Sequence, residues 1–382
     1  MVTMQDVANR AGVSLKTVSN VVNGFPSIRP STRERVERAL ADLGYRPNMA
    51  ARSLAGGRTG LLALMIPDID STYYGRLTSH LIRAARAEDL TVMIQQAGRT
   101  VPGELETLGS LRRHFVDGMI GNTMALKDRP IRERMGPLPL VMMGIRWDDE
   151  DRVFDHVHID AEGAGADGIE HLLGLGRSRI ALLGRREPAI APTDTRLRGV
   201  ESALAAKGLR GIYGRVGTYS RPHGYQAMTQ LLADDPEIDA VFCFNDDLAV
   251  GAMAAIQDAG KRVPEDVAVL GFDDTAMAKF TNPSLSSIHF DMTLLAGEAV
   301  RLLVAAIRRQ SDGETEGYEP QDVVIPHTLR VRGSTVAGAD RGLDQPDENE
   351  GAEIELDSYL REHPDWREDL AADDQARGRD HS

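Results

Sequence analysis

Basic side chains are concentrated at the start of this sequence. Residues 1–58 carry nine of them against four acidic ones, although the whole chain of 382 residues has a net charge of −14. The basic residues are Arg10, Lys16, Arg29, Arg33, Arg35, Arg38, Arg46, Arg52 and Arg58. A local excess of guanidinium and ammonium groups is what contact with backbone phosphates requires. The first 58 residues are therefore predicted to bind nucleic acid, and the excess of acid lies elsewhere, heavily in the C-terminal segment.

Two short helices joined by a tight turn are predicted to position these side chains. Thr3 followed by Asp6 is typical of a helix start, because such side chains satisfy free backbone N–H groups. Gly12 supplies the positive φ that a tight turn needs, and Ser14 is expected to cap the second helix. The residues expected to face inward are Val7, Ala8, Ala11, Val18, Val21 and Val22. This pattern predicts a helix-turn-helix, whose second helix enters the major groove.

Residues 3–24 resemble the DNA-binding head of the lac-repressor-like (LacI/GalR) family of bacterial transcription regulators. The similarity continues through residues 31–36, a predicted third helix start, through 43–48, and into 51–56, which resembles the family's hinge helix. The resemblance implies a sequence-specific transcription regulator, a repressor, controlled by a small metabolite and without enzymatic activity. The alternative is an effector-independent regulator whose core serves only dimerisation. A sugar-binding enzyme is a further alternative.

Matching the head to the family position by position assigns contacts with double-stranded operator DNA. Leu15, Lys16 and Asn20 fall where side chains face base edges: lysine can donate to guanine, asparagine can pair with adenine, and leucine offers apolar contact. The small polar residues suited to phosphate contact are Thr3, Ser14, Thr17, Ser19 and Asn23. In the implied hinge helix, residues 48–55, Leu54 inserts into the minor groove and kinks the duplex. The alternatives are that Lys16 touches phosphate only and that the small polar residues only cap helices.

After residue 60, short apolar runs alternate with amphipathic segments. The predicted strands are residues 61–66, 91–95, 118–121 and 140–143 in a first series, and 180–183, 240–244 and 267–271 in a second. The predicted helices include residues 74–88, 162–174, 196–207, 223–233 and 247–259. This alternation is typical of an α/β fold with parallel sheets. Two series imply two lobes, and the family resemblance implies a periplasmic-binding-protein-like core in which about residues 289–310 return to the first lobe.

Turns beside these strands match the family's effector site and are expected beyond the carboxyl ends of the strands, where ligands of α/β proteins bind. The residues expected to bind the effector are Asp70, Tyr73, Tyr74, Arg198, Tyr219, Asn245, Asp273 and Phe290. A guanidinium and a carboxylate suit vicinal hydroxyls, whereas Phe290, where relatives often carry a polar residue, permits an apolar face. The ligand is therefore expected to be a sugar or a nucleoside-like molecule. The alternatives are that Asn245 only caps a helix and that the tyrosines belong to the core.

Two other patterns could do different chemistry. Residues 163–168 spell G-x-G-x-x-G, but they follow the strand at 157–159 only after three further residues, which loosens the tight turn that a dinucleotide pyrophosphate requires. His156 and His158 share one face of that strand, but no cysteine or further histidine cluster accompanies them, so a metal site is not expected. The single cysteine, Cys243, lies in an apolar run and is expected in the core. No cofactor is predicted.

These observations divide the chain into a head at 1–47, a hinge and linker at 48–58, a core at 59–338 and an acidic tail at 339–382. The tail has few apolar residues and is expected to be disordered. Its irregular apolar residues do not form a heptad seam, so a homodimer is expected. No apolar run approaches the ~20 residues of a membrane helix, and the head leaves no room for a signal peptide. The predicted location is the cytoplasm, at the nucleoid.

Overall fold

The computed structural model describes residues 2–22, 28–45, 58–111, 115–144, 153–184, 193–315 and 317–343. The head contains α1 (Met4–Ala11), α2 (Leu15–Val22) and α3 (Pro30–Asp42). Its small core consists of Val7, Ala8, Ala11, Val18, Val21, Val36 and Ala39. The predicted helix-turn-helix is therefore confirmed. The expected hinge helix at 48–55 and the tail from residue 344 onward lie outside the described residues.

Strands and helices alternate through the rest of the chain. The first series is β1 (Leu61–Ile66), α4 (Thr72–Ala87), β2 (Thr91–Gln96), α5 (Val101–Ser110), β3 (Gly118–Gly121), α6 (Asp128–Met135), β4 (Leu140–Met143) and β5 (Asp155–Ile159). The second series is α7 (Ala161–Gly174), β6 (Ile180–Leu183), α8 (Thr193–Ala205), β7 (Ile212–Gly214), α9 (Arg221–Asp234), β8 (Ala240–Cys243), α10 (Asp246–Asp258), β9 (Ala268–Phe272) and α11 (Ala276–Phe280). The last elements are β10 (Ser286–Phe290), α12 (Met292–Asp312), β11 (Asp322–Ile325) and β12 (His327–Arg330).

These strands form two six-stranded sheets, one in each lobe. The order in the first lobe is β11-β5-β4-β3-β1-β2, and every pair is parallel. The order in the second lobe is β12-β10-β9-β8-β6-β7, parallel except for β12, which runs antiparallel to β10. The prediction of two lobes with parallel sheets is confirmed, apart from that one edge strand. The sequence patterns missed β7 and β10 to β12, because strands of three to five residues with polar side chains give no clear periodicity.

The chain passes between the lobes after β5, after β10 and after β11. Helix α12 packs against α4 and against β3, β4 and β5, so the predicted return to the first lobe is confirmed. Cys243 is fully buried in the second lobe, as expected of a core residue. Arg341, inside the segment expected to be a tail, donates a hydrogen bond of 3.2 Å to the carbonyl oxygen of Thr281. Contacts with the second lobe thus continue beyond residue 338.

No helix in the described ranges is both long and apolar enough to cross a membrane.

Candidate functional site

The start of α1 and the turn between α1 and α2 contain the local interactions that the sequence predicts. Thr3 Oγ1 accepts a hydrogen bond of 3.3 Å from the backbone N–H of Asp6, and the Asp6 carboxylate accepts one of 2.9 Å from the backbone N–H of Thr3. Gly12 has a φ of 64°, and Ser14 Oγ accepts a hydrogen bond of 3.2 Å from the backbone N–H of Thr17. These interactions satisfy N–H groups that a helix start otherwise leaves free.

One side of α2 is available to another molecule. Leu15 is 46% exposed and Lys16 is also exposed, whereas Val18 and Val21 are buried against the other helices. Asn20, partly exposed, follows Lys16 by about one helical turn and lies on the same side. An exposed leucine next to an ammonium and an amide offers the apolar contact and the donors that base edges accept in a major groove.

The structure describes four of the six other residues that are predicted to contact DNA. Those described in the structure are exposed or partly exposed, and they are Thr3, Ser14, Thr17 and Ser19. Asn23 and Leu54 lie outside the described residues. Arg10 on α1 forms an ion pair of 2.9 Å with Asp42 on α3. This ion pair links the first and third helices of the head.

A cavity of about 330 Å³ lies between the two lobes, beyond the carboxyl ends of strands from both sheets. Residues of the first lobe that line it are Ser71, Tyr73, Tyr74, Arg99, Asn122, Met124 and Gly144. Residues of the second lobe that line it are Thr195, Arg196, Arg198, Tyr219, Phe244, Asn245 and Asp273. Phe290 and residues 158–162, at two crossings between the lobes, complete the wall. The cavity lies where α/β folds bind ligands, and its volume suits a small molecule.

Seven of the eight residues predicted to bind an effector line this cavity, and Asp70 does not. The backbone N–H of Asp70 donates to the Asp68 carboxylate at 3.1 Å, in a turn that leaves the Asp70 side chain exposed. Tyr73 and Tyr74 begin one turn later, inside α4, where the helix directs them inward. The expectation that Asp70 lines the wall is therefore corrected.

Tyrosine and phenylalanine rings form one wall of the cavity. The rings of Tyr73 and Tyr74 meet edge to face with centroids 4.9 Å apart, and Phe290 lies 6.3 Å from Tyr73. The Tyr74 hydroxyl donates to Asn122 Oδ1 at 3.2 Å. Burial raises the pKa of both tyrosine hydroxyls, so they remain neutral donors. Tyr74 thus belongs to the core and to the cavity wall at once.

Polar groups approach the cavity from the second lobe. Asn245 Oδ1 accepts a hydrogen bond of 2.9 Å from the backbone N–H of Leu248, so this side chain caps α10 as well as lining the cavity. Asp273 is 9% exposed and has a φ of 101°, a strained conformation for a residue other than glycine. Burial raises the pKa of the Asp273 carboxyl well above its usual range, and the charge of Arg196 opposes that rise.

Two arginines of α8 face the cavity in different ways. Arg198, which the sequence predicted, is exposed and pairs with Glu162 at 3.1 Å. Arg196, which the prediction missed, lies with its guanidinium carbon 3.4 Å from the ring centroid of Phe272 and donates a hydrogen bond to the carbonyl oxygen of Phe244. Its Nε is buried without a hydrogen-bond partner in the described structure. Burial lowers the pKa of Arg196, and Asp273 opposes that shift. The Arg-Leu-Arg motif marks both arginines, but only packing decides which is buried.

A third arginine in the wall, Arg99, was also missed. It follows the carboxyl end of β2, and its guanidinium lies 5.9 Å from the ring centroid of Tyr74 and 5.8 Å from that of Tyr219. The rule that ligands bind beyond strand ends would have found it, had that rule been applied to β2 as well as to β1 and β9.

Direct contacts join the lobes beside the cavity. On α4 of the first lobe, Thr72 donates to Asp247 Oδ1 at 3.2 Å, and Arg221 of the second lobe donates to the same oxygen at 2.9 Å. Arg76, also on α4, donates to the carbonyl oxygen of Asp274 at 2.8 Å. A change in the relative position of the lobes must therefore change the hydrogen bonds of Thr72 and Arg76.

The glycine-rich motif at 163–168 has a packing role. Gly163 donates its N–H to Asp160 Oδ1 at 2.9 Å at the start of α7. A Cβ at Gly165 would lie 2.5 Å from the carbonyl oxygen of Arg196, and one at Gly168 would lie 2.7 Å from the ring of Phe242. These glycines let α7 approach α8 and β8, and so position the two arginines at the cavity.

The two histidines of β5 each face a carboxylate. His156 Nε2 lies 2.8 Å from Asp128 Oδ2, and His158 Nε2 lies 2.8 Å from Asp322 Oδ1. Across the described segments, no group of three or more histidine, cysteine or acidic side chains could hold a metal ion. The histidines connect β5 to α6 and to β11.

A helix-turn-helix head on a two-lobed core with an interlobe cavity defines the class of ligand-binding transcription regulators. The family model for bacterial regulatory proteins, lacI family, matches residues 3–48, and the model for a periplasmic binding protein-like domain matches residues 169–335. Catabolite control protein A of Priestia megaterium is 31% identical over 338 residues, covering 87% of this chain and 99% of that protein. The chain belongs to the lacI family: it is a DNA-binding transcriptional regulator and not an enzyme.

Other relatives support this assignment. The HTH-type transcriptional regulator CelR of Thermobifida fusca is 33% identical over 342 residues, 87% of this chain and 98% of that protein. The structure of the lac repressor dimer bound to operator and the anti-inducer ONPF superposes with a TM-score of 0.77 at 29% identity, covering 88% of this chain and 99% of that one. A transcriptional regulator CelR–cellobiose complex has a TM-score of 0.64 at 30% identity, with 87% and 100% covered.

Proposed function

We propose that this protein is a repressor that binds a specific operator as a homodimer, and that a sugar or nucleoside-like metabolite in the interlobe cavity sets its operator affinity. The observation that supports this proposal most directly is that residues of both lobes line the cavity. A ligand there contacts both lobes at once, so it favours one relative position of the lobes over another. The free energy of such coupling is typically about 1–3 kcal/mol.

The proposed ligand chemistry follows from the groups in the wall. Asp273 offers an acceptor and Arg198 a guanidinium, a combination that suits adjacent hydroxyls. Tyr73, Tyr74 and Phe290 supply flat apolar surface for the face of a ring. The CelR relative was solved as a complex with cellobiose, and a further family member with ribose, which supports a ligand of this size and polarity.

The proposed DNA contacts follow the exposed side of α2. Leu15, Lys16 and Asn20 read base edges, while Thr3, Ser14, Thr17, Ser19 and Asn23 contact phosphates and fix the register. Leu54 inserts into the minor groove at the centre of the operator and kinks the duplex. Extra contacts between protein and DNA offset the energy cost of this kink. Two heads on a nearly palindromic site require a symmetric dimer, and the lac repressor relative was solved as a dimer on its operator.

The proposed division of the chain has a head at 1–47, a hinge and linker at 48–58, a core from residue 59 and an acidic tail. The hydrogen bond of Arg341 to the second lobe supports a core that extends past residue 338, at least as far as Arg341.

The proposal is tested by finding the DNA site and the ligand independently. Selection of random duplexes on the full-length protein yields an operator, and a thermal-shift screen of sugars, nucleosides and their acidic derivatives yields a ligand. We expect a nearly palindromic operator and a ligand that raises the melting temperature. A selected operator together with no stabilising ligand would favour the alternative regulator, whose core serves only dimerisation.

A further inference from the structure

The guanidinium of Arg99 is held over the cavity by rings from both lobes. It lies 5.9 Å from the ring centroid of Tyr74 in the first lobe and 5.8 Å from that of Tyr219 in the second. Both rings are fixed at their hydroxyls, which donate to Asn122 Oδ1 at 3.2 Å and to the carbonyl oxygen of Gly184 at 2.8 Å. Ring faces attract the cation but accept none of its directed hydrogen bonds. The cation is therefore positioned while its N–H donors remain available.

The other two arginines of the wall already have polar partners. Arg198 pairs with Glu162 at 3.1 Å, and Arg196 donates to the carbonyl oxygen of Phe244 while the nearby Asp273 favours its charged form. Within the described residues, Arg99 has no ion pair and no hydrogen bond, only the two ring contacts. A guanidinium is always charged, and its N–H donors suit carboxylate and phosphate oxygens.

Each acidic group of the wall has a partner other than Arg99. Asp160 Oδ1 accepts the N–H of Gly163 at the start of α7, and Glu162 is used by Arg198. Burial raises the pKa of the Asp273 carboxyl, and the charge of Arg196 opposes that rise, so Asp273 is coupled to Arg196. The two rings that contact Arg99 belong to Tyr74 and Tyr219, and neither ring supplies a negative charge.

We infer that the physiological ligand carries an acidic group, a carboxylate or a phosphate, which pairs with Arg99 while its hydroxylated ring meets the tyrosines. This inference rests on the proposed function and narrows its ligand to sugar acids, sugar phosphates or nucleotides. The guanidinium of Arg99 contacts Tyr74 of the first lobe and Tyr219 of the second. An anion bound to Arg99 is therefore attracted to a side chain that both lobes hold in place.

The test compares neutral and acidic members of matched pairs on the full-length protein. Suitable pairs are glucose with glucuronate and with glucose 6-phosphate, ribose with ribose 5-phosphate, and adenosine with AMP. Thermal shift ranks the compounds, and calorimetry measures affinity for the best of them. We expect an acidic member to bind more tightly than its neutral counterpart, and the carboxylate and phosphate arms to identify which acid is used.

Arg99→Gln is the decisive variant, and Arg86→Gln, an exposed arginine on α4, is its matched control. Loss of charge-assisted hydrogen bonds is expected to weaken the acidic ligand by roughly ten- to hundredfold in Arg99→Gln and not in Arg86→Gln. Arg99→Lys keeps the charge and should retain part of the preference, which separates charge from folding. The inference is wrong if no acidic compound binds better than its neutral partner, or if both glutamine variants bind alike. Tight binding of a neutral sugar with the same affinity in wild type and in Arg99→Gln would overturn this inference. The proposed function would remain valid in that case.

Discussion

Arg76 in the first lobe donates a hydrogen bond of 2.8 Å to the backbone carbonyl of Asp274 in the second. Asp274 is itself fixed, because Arg332 donates to its carboxylate at 2.6 Å and His289 approaches at 3.1 Å. Although burial opposes it, these two contacts lower the pKa of Asp274 to about 2. The next residue toward the N-terminus is Asp273, in the cavity wall. A contact between the lobes and a proposed ligand contact are therefore adjacent in the chain.

The hydrogen bond between Thr72 and Asp247, which joins the lobes, should support ligand binding. Asp247→Ala removes this contact, and also the contact with Arg221 within the second lobe, so the arrangement of lobes that closes the cavity becomes less populated. We expect ligand affinity, measured by calorimetry, to fall by roughly three- to tenfold. Asp258→Ala, at the far end of the same helix α10, is the control and should leave affinity unchanged. Equal affinities in both variants would mean that these contacts do not favour the binding arrangement.

The carboxylate of Asp273 should contact the ligand. Asp273→Ala is expected to weaken ligand affinity by roughly ten- to hundredfold, because a charge-assisted hydrogen bond is lost. Asp70→Ala should have no effect, since that side chain is exposed outside the cavity. Neither residue lies in the head, so ligand-free operator affinity should stay at the wild-type value in both. Calorimetry and gel shifts measure the two quantities, and a weakened Asp70→Ala together with a normal Asp273→Ala would place the ligand elsewhere.

Gly165 should be sensitive to a single added methyl group. A Cβ there would lie 2.5 Å from the carbonyl oxygen of Arg196, so α8 must shift. We expect Gly165→Ala to lower the free energy of unfolding by about 1–3 kcal/mol and to weaken ligand binding as well. Gly174→Ala is the matched control on α7, because a Cβ there meets nothing within 4 Å. It should be neutral or slightly stabilising in urea titrations. Equal stability of both variants would contradict the packing role of the motif.

Asp246 should make stability depend on pH. Burial raises the pKa of its carboxyl to about 7, although Ser287 and Thr275 donate hydrogen bonds to it. A carboxyl with a raised folded-state pKa binds its proton more tightly when folded. Its contribution is therefore fully present below the ordinary pKa of 3.8 and is lost as pH rises toward about 7.

Asp246→Asn removes this titration. Between about pH 5 and pH 7, wild type should gain stability relative to the variant by roughly 1 kcal/mol for each unit that pH falls. Urea titrations of both proteins at several pH values measure the difference. A constant difference across that range would show that Asp246 is already ionised in the folded protein.

Local signals carried the sequence prediction of the head and of the strand positions. Thr3 and Asp6 cap the start of α1, and Gly12 forms the turn at its end. Both features depend on residues close together in the sequence, so residue types and spacing predict them. The contact of Thr72 with Asp247 joins residues 175 positions apart, and no local pattern predicts it. The choice between Arg196 and Arg198 depends on how closely α7 packs on α8. The prediction for Asp70 was wrong because this residue lies in the exposed turn before α4, whereas Tyr73 and Tyr74 inside the helix line the cavity.

Fluorescence anisotropy of labelled operator measures whether the cavity ligand controls operator affinity. The titration is done on full-length protein with and without saturating ligand from the thermal-shift screen, at one salt concentration. We expect the ligand to change the operator Kd by roughly five- to 150-fold, and the operator to change the ligand Kd by the same factor. An operator Kd that is the same with and without bound ligand would contradict this expectation.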